Sequence, residues 1–170
     1  MSGNENFITE DEYCRKINDK YRIFKKKSEM ASEVNEAMIS YQSTDDRDVF
    51  SLISAVRRGI SYFFFRKLAG NSPFSMSEWT HYLHLSERTM QRYKKQEKQF
   101  DPLASERILE LTMLYKYGME VFGSKDKLSV WLSSSSVVLG GNTPKSFLDN
   151  SFGIQLVRDE LGRIEQGVLA

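Results

Sequence analysis

From Asp48 onward the apolar residues return every three or four positions and are interrupted at short intervals by helix-stopping residues, a rhythm that fits short packed helices. Val49, Leu52, Ile53 and Val56 make one stripe that ends near Gly59. Ile60, Phe63, Phe64 and Leu68 make a second, ending at Gly70, a residue suited to the left-handed position just past a helix. Asn71-Ser72-Pro73 then reads as a loop. Ser75-Met76-Ser77-Glu78 has the spacing of a capping box, in which hydroxyl and carboxylate each satisfy a backbone N–H that the helix leaves over. It opens a helix carrying Trp79, Tyr82 and Leu83, and Ser86 caps the next, ERTMQRYKKQEKQF. Asp101-Pro102 starts a long helix that runs to Phe122 with Ala104, Ile108, Leu111 and Tyr115 on one face, and Gly123 stops it. Ser124 caps a shorter helix with Leu128, Trp131 and Leu132. Strand-like alternation is confined to Val137-Val138-Leu139, so the expected fold class is all-α.

Residues 9–42 also read as helix, with Thr9 as cap and Glu10, Asp11 and Glu12 in the first turn. Its apolar line, Tyr13, Ile17, Tyr21, Phe24, Val34, Met38 and Tyr41, is broken by Lys25, Lys26 and Lys27, which read as a solvated face more readily than as a phosphate contact. Cys14 is the single cysteine, which excludes an internal disulfide and a CxxC zinc site. The start, MSGNENFITEDEY, lacks a basic segment followed by an apolar one, and no apolar run approaches the roughly 18 residues that span a bilayer. A cytoplasmic protein without a membrane partner is the expectation.

The net charge of +1 hides an asymmetry. Residues 47–100 hold ten basic and four acidic side chains, whereas the segments on either side are net acidic, a pattern that points to a polyanion partner for the middle alone. Residues 75–96 fit a helix-turn-helix, whose second helix enters the major groove. On that helix Met90 and Tyr93 are expected to pack against Trp79 and Leu83. Arg88, Gln91, Arg92, Lys94 and Lys95 then remain for DNA: Arg forks onto guanine, Gln onto adenine, and Lys holds phosphates. His81 and His84 lack the further ligands a tetrahedral metal needs, and read as half-exposed residues beside the turn.

In the stretch LGGNTPKSFLDN, Gly140-Gly141 permits a tight turn, Thr143 is expected to cap, and Pro144 to begin a helix whose apolar side is Phe147 and Leu148. A phosphate cradle is disfavoured by the missing GxGxxG and GK[ST] spacings. Beyond Gly153, Ile154, Val157, Leu161, Ile164 and Val168 recur at helical spacing, the core stripe of a final helix. Arg158, Arg163, Glu165 and Gln166 flank it.

Glu106-Arg107-Ile108, Val121-Phe122-Gly123, Trp131-Leu132, LGGNTPKSFLD and LGRIEQGVLA together resemble the antitoxins of the Xre/MbcA/ParS group over residues 101–170. VRRGISYFFFRKLAG through LSERTMQRYKK is similar to the Xre-like helix-turn-helix that precedes that domain in the family. The resemblance implies a type II antitoxin that covers the active site of a RES-type toxin, consuming NAD or transferring ADP-ribose, and represses its own promoter. It implies three parts: residues 1–46 as a helical extension, 47–100 as the DNA-binding module and 101–170 as the toxin-binding domain. A homodimer within a larger complex is expected by analogy, because helix-turn-helix proteins usually read paired half-sites. Carried over, Gly140, Gly141, Thr143 and Pro144 shape the toxin-binding domain, with Arg158, Arg163, Glu165, Gly167, Val168, Leu169 and Ala170 facing the toxin. Serines before the double glycine, and Lys145-Ser146-Phe147 after Thr-Pro, depart from the family's usual Pro and Leu-Glu-Leu. A plain transcription regulator whose C-terminal third only dimerises explains the basic middle equally well. An enzyme is the weakest alternative, because Glu165 and Arg163 come without a nucleophile and base pair, and no cofactor is implied.

Overall fold

The computed structural model describes residues 46–167, with side chains from Val49 on. The helix expected over 9–42, Cys14, the lysine triplet and Val168 to Ala170 lie outside the described residues. The chain divides into two compact units, Met1–Leu52 and Ile53–Ala170, and the candidate site residues fall in the second.

The all-α expectation holds. Among the described residues there are seven α-helices and one short 3-10 turn: α1 (Asp46–Arg58), α2 (Tyr62–Asn71), α3 (Met76–Tyr82), α4 (Glu87–Gln96), α5 (Pro102–Phe122), α6 (Lys125–Ser133), the 3-10 turn Pro144–Phe147, and α7 (Ser151–Glu165). An isolated bridge between Ser61 and Gln99 brings the start of α2 against the segment after α4.

Side-chain caps set the helix starts, as the sequence requires. Ser86 accepts from the Thr89 N–H, Asp101 from Ala104 and Ser124 from Lys127. The Ser75–Glu78 box is complete: each side chain receives the other's backbone N–H. Gly123, with φ 69°, ends α5 in the left-handed conformation that glycine adopts without steric penalty. Ser61 and Asn150 cap α2 and α7 in the same manner.

Several local expectations are corrected by packing. Gly70 lies inside α2, which continues to Asn71 and ends where the Ser72 N–H bonds the Ala69 carbonyl. Phe65 rather than Phe63 is the fully buried ring of that helix. On α1, Leu52 and Ala55 are buried whereas Val49 and Ile53 are exposed. Thr143 makes no side-chain cap, and Pro144 opens only a four-residue 3-10 turn. Val137 and Val138 are exposed residues of a turn, not a strand.

The core of the helix-turn-helix half is aromatic. Trp79 lies edge-on to Phe65 (centroids 5.4 Å) and Phe74 (5.7 Å), and its indole N–H donates to Ser72 Oγ at 3.0 Å. Phe100 gathers Phe65, Tyr62 and Tyr93 around itself. Tyr93 thus packs on Phe100, where Trp79 and Leu83 were expected. The 21-residue α5 then runs uninterrupted between the two halves of the unit. Near its start Ser105 Oγ accepts from the Ile60 N–H at 2.9 Å; further along, the Tyr115 hydroxyl donates to the Leu68 carbonyl at 3.3 Å. Its far end packs on α6 and α7.

Candidate functional site

The turn between α3 and α4 is built from the backbone. The Leu83 N–H bonds the Trp79 carbonyl, His84 bonds His81 and Leu85 bonds Thr80, all at 3.0 Å, and His84 reverses the chain with φ 53°. Ser86 then starts α4, anchored by buried Met90 and half-buried Tyr93. Arg88, Gln91, Arg92, Lys94 and Lys95 are all exposed. The Arg92 guanidinium stands 6.0 Å from the Tyr93 ring centroid, the outer reach of a cation–π contact. Forked and single-point cations beside an amide, on a helix held rigidly from behind, are the chemistry that base edges and phosphates require.

A second surface belongs to the C-terminal half. Gly140 and Gly141 adopt φ 64° and 82°, and the turn they form closes on Ser136, whose carbonyl accepts from the Gly141 N–H at 2.8 Å. Both glycines are exposed, while Pro144, which follows the turn, is buried. On α7, Arg158 is half-buried and Arg163 donates to the buried Glu160 at 2.5 Å. Glu165 accepts from the Tyr117 hydroxyl at 2.6 Å. That hydrogen bond, followed by partial loss of hydration, pushes the phenol up to about 12. Gly167 is exposed with φ 67°. Arg163 and Glu165, two residues expected to face a partner, are therefore already held by bonds inside the chain.

Three features of this half were not foreseen. Glu160 is a buried carboxylate in the middle of an apolar stripe. Tyr117 comes to Glu165 from α5, 48 positions away. An open, largely apolar groove of about 560 Å³ runs between the end of α5 and α6, lined by Phe122, Asp126, Lys127, Val130, Trp131 and Ser134. The only advance signal was Val130, apolar on the otherwise polar side of α6 and 67% exposed in the fold. His81 and His84 are both exposed beside the turn, and His84 Nε2 lies 2.8 Å from the Asp149 carbonyl. Among the described residues no group of three His, Cys, Asp or Glu side chains is arranged for a metal ion, and no helix is long and apolar enough to cross a membrane.

Two family models match the chain. One, the antitoxin Xre-like helix-turn-helix domain, covers residues 51–112; the other, the antitoxin Xre/MbcA/ParS C-terminal toxin-binding domain, covers residues 118–167. The first match ends, and the second begins, on α5. The chain is 32% identical over 84 residues to an Antitoxin Xre of Yersinia enterocolitica, a stretch covering 49% of this chain and 57% of that protein. It is 34% identical over 67 residues to an Antitoxin Xre of Photorhabdus laumondii, covering 39% of this chain and 45% of the relative. The chain thus spans about half the length of the curated relatives it matches.

Proposed function

We propose that this chain, which belongs to the Xre/MbcA/ParS-type antitoxins, captures a RES-type toxin with residues 101–170 and represses its own promoter with residues 47–100. The observation that carries the reading is the joining of an exposed basic recognition helix to a helical toxin-binding domain within one compact unit. Capture covers the toxin's active site by surface complementarity, with no chemistry and no cofactor on the antitoxin's side. The double-glycine turn with Thr143 and Pro144, and the α7 side with Arg158, Arg163, Glu165 and the residues from Gly167 to Ala170, form the toxin-facing region. Tyr117 supports it by fixing the Glu165 carboxylate. A homodimer inside a larger complex fits the paired half-sites that helix-turn-helix proteins read.

The decisive experiment co-expresses the tagged full chain with the protein encoded beside it. A stable complex with suppressed NAD consumption is the expected result. Truncation after Gln166 is expected to restore toxicity; full protection by the truncated chain removes the tail from the mechanism. A complex that never forms, with DNA binding intact, leaves a plain regulator.

The DNA half has its own test. Arg88→Ala is expected to weaken binding to the promoter duplex by about 1–3 kcal/mol and relax its sequence preference, as losing a base-reading fork does. Lys95→Ala is expected to weaken all duplexes alike and to reduce the salt slope by about 0.9, the loss of one phosphate contact. Fluorescence anisotropy from low to physiological salt separates the two effects. Equal salt slopes and unchanged preference in both variants remove α4 from the interface.

A further inference from the structure

We propose that His84 and Lys145 position the DNA-reading helix from the toxin-binding domain, so that occupancy of that domain and DNA binding are energetically coupled; the coupling rests on the antitoxin reading above.

The first observation is a conflict inside the turn. His84 sits at φ 53°, a left-handed backbone that L side chains resist and glycine adopts freely. Glycine would ease this turn, but it lacks what the imidazole does. His84 Nε2 lies 2.8 Å from the Asp149 carbonyl, 65 positions away. A carbonyl only accepts, so Nε2 carries the proton and donates. The turn that sets the angle between α3 and α4 is thereby fastened to the segment in front of α7.

A second fastening lies at the other end of α3. Lys145 Nζ is 2.9 Å from Glu78 Oε1, while Glu78 Oε2 accepts from the Ser75 N–H at 2.7 Å and the Ser75 hydroxyl at 2.9 Å. One carboxylate therefore completes the capping box and the link to the C-terminal half. Partial burial pushes the Glu78 carboxyl up, but the bonds from Lys145 and Ser75 outweigh it and hold the group below its ordinary value. The Tyr82 hydroxyl adds a long contact to the Lys145 carbonyl at 3.5 Å.

The seven residues of α3 are thus held at both ends by one stretch, residues 145–149. That stretch lies within the matched toxin-binding domain, directly after Pro144 and directly before the cap of α7. A partner seated on the double-glycine turn or on α7 bears on it. Hydrogen bonds at 2.8–2.9 Å weaken steeply with displacement, so a shift of about an ångström in 145–149 releases or resets α3 and the turn. Lys145 and His84 are positioning residues: they touch no base, and they act through α3 on the attitude of α4.

The test uses the full chain, the duplex upstream of its own gene and the protein encoded beside it. Operator affinity is measured with and without saturating toxin, for wild type and for the double variant His84→Gly and Lys145→Met, which eases the turn and removes both ties. Toxin affinity is measured separately. Wild type is expected to change its operator affinity by at least about fivefold when the toxin binds, within the ordinary range of allosteric coupling. The double variant is expected to bind both partners with that factor reduced to within about twofold of one. Without toxin, it is expected to discriminate operator from scrambled duplex about tenfold less well, a loss of about 1.4 kcal/mol. Lys145→Arg, which keeps the ion pair, is expected to behave as wild type. Discrimination unchanged in the double variant, or a coupling factor equal to that of wild type, overturns the proposal. A wild type that binds the toxin and the operator independently overturns it too. If the chain binds no toxin at all, the antitoxin reading fails, and the discrimination measured without toxin still decides the positioning role.

Discussion

Gly153→Ala is expected to abolish the packing of α7 on the 3-10 turn and to lower stability by more than about 4 kcal/mol, beyond what most single substitutions cost. A Cβ built at Gly153 falls on the Phe147 carbonyl oxygen, 2.7 Å from the carbonyl carbon and 2.9 Å from the Phe147 Cβ. Most of these atoms are backbone, so no rotamer change relieves the clash. Movement is blocked on both sides. Leu148 is fully buried next to the contact, and Asn150 Oδ1 accepts from the Gly153 N–H at 2.9 Å to cap α7. The damage centres on the matched C-terminal domain, so the toxin capture proposed for it is expected to be lost with the fold. Denaturant unfolding of the full chain and co-purification with the toxin measure both effects; a variant with the wild-type midpoint refutes the close approach. Gly141→Ala is the contrast, since nothing lies within 4 Å of a Cβ there. Only its positive φ opposes the change, at about 1–2 kcal/mol.

Trp79→Ala carries the second large effect, about 3–5 kcal/mol, with loss of DNA binding at physiological temperature. The side chain is completely buried and meets two aromatic edges. Removing it opens a cavity beneath α3 and takes away the N–H donated to Ser72 Oγ. That hydroxyl also bonds the Ala69 carbonyl at 2.8 Å, so the end of α2 loosens with it. Trp79→Phe separates the two contributions. It keeps most ring contact and loses one buried hydrogen bond, an expected cost of about 1–2 kcal/mol. Denaturation midpoints of the two variants, read beside operator affinity, test the ranking. Equal losses in both would assign the whole effect to the hydrogen bond.

What could be read from the chain beforehand was local. Ser75 with Glu78, Ser86, Asp101 with Pro102, and Ser124 announce helix starts because a cap acts on N–H groups two or three residues away. Gly123 announces an end for a similarly local reason. The misreadings came where the fold, not residue type, decides. Gly70 had the composition of a stop, yet the hydroxyl of Ser72 holds the chain helical past it. Phe65 outranks Phe63 because Phe100 and Trp79, far along the chain, meet its ring. Thr143 precedes a turn too short and too tight to use its hydroxyl.

The surfaces follow the same division. The exposed cations of α4 were legible because Met90 fixes which face is buried. Tyr117 with Glu165 and His84 with Asp149 depend on how segments far apart in the chain meet. No periodicity encodes that. His84 is the instructive case: read as a bystander beside a turn, it is one of the ties across the molecule.

The continuity of α5 has a consequence for how such proteins diversify. The two matched domains end at Thr112 and begin again at Gly118, inside a helix and not in a loop. Helical residues advance by about 100° each, so inserting or deleting one residue between these points rotates everything downstream by that angle about the α5 axis. Exchange of C-terminal domains between relatives is then constrained by phase: a recombined gene must join its halves at the same point of the helical turn, or by whole turns, for the basic face of α4 and the surface of α7 to keep their mutual bearing.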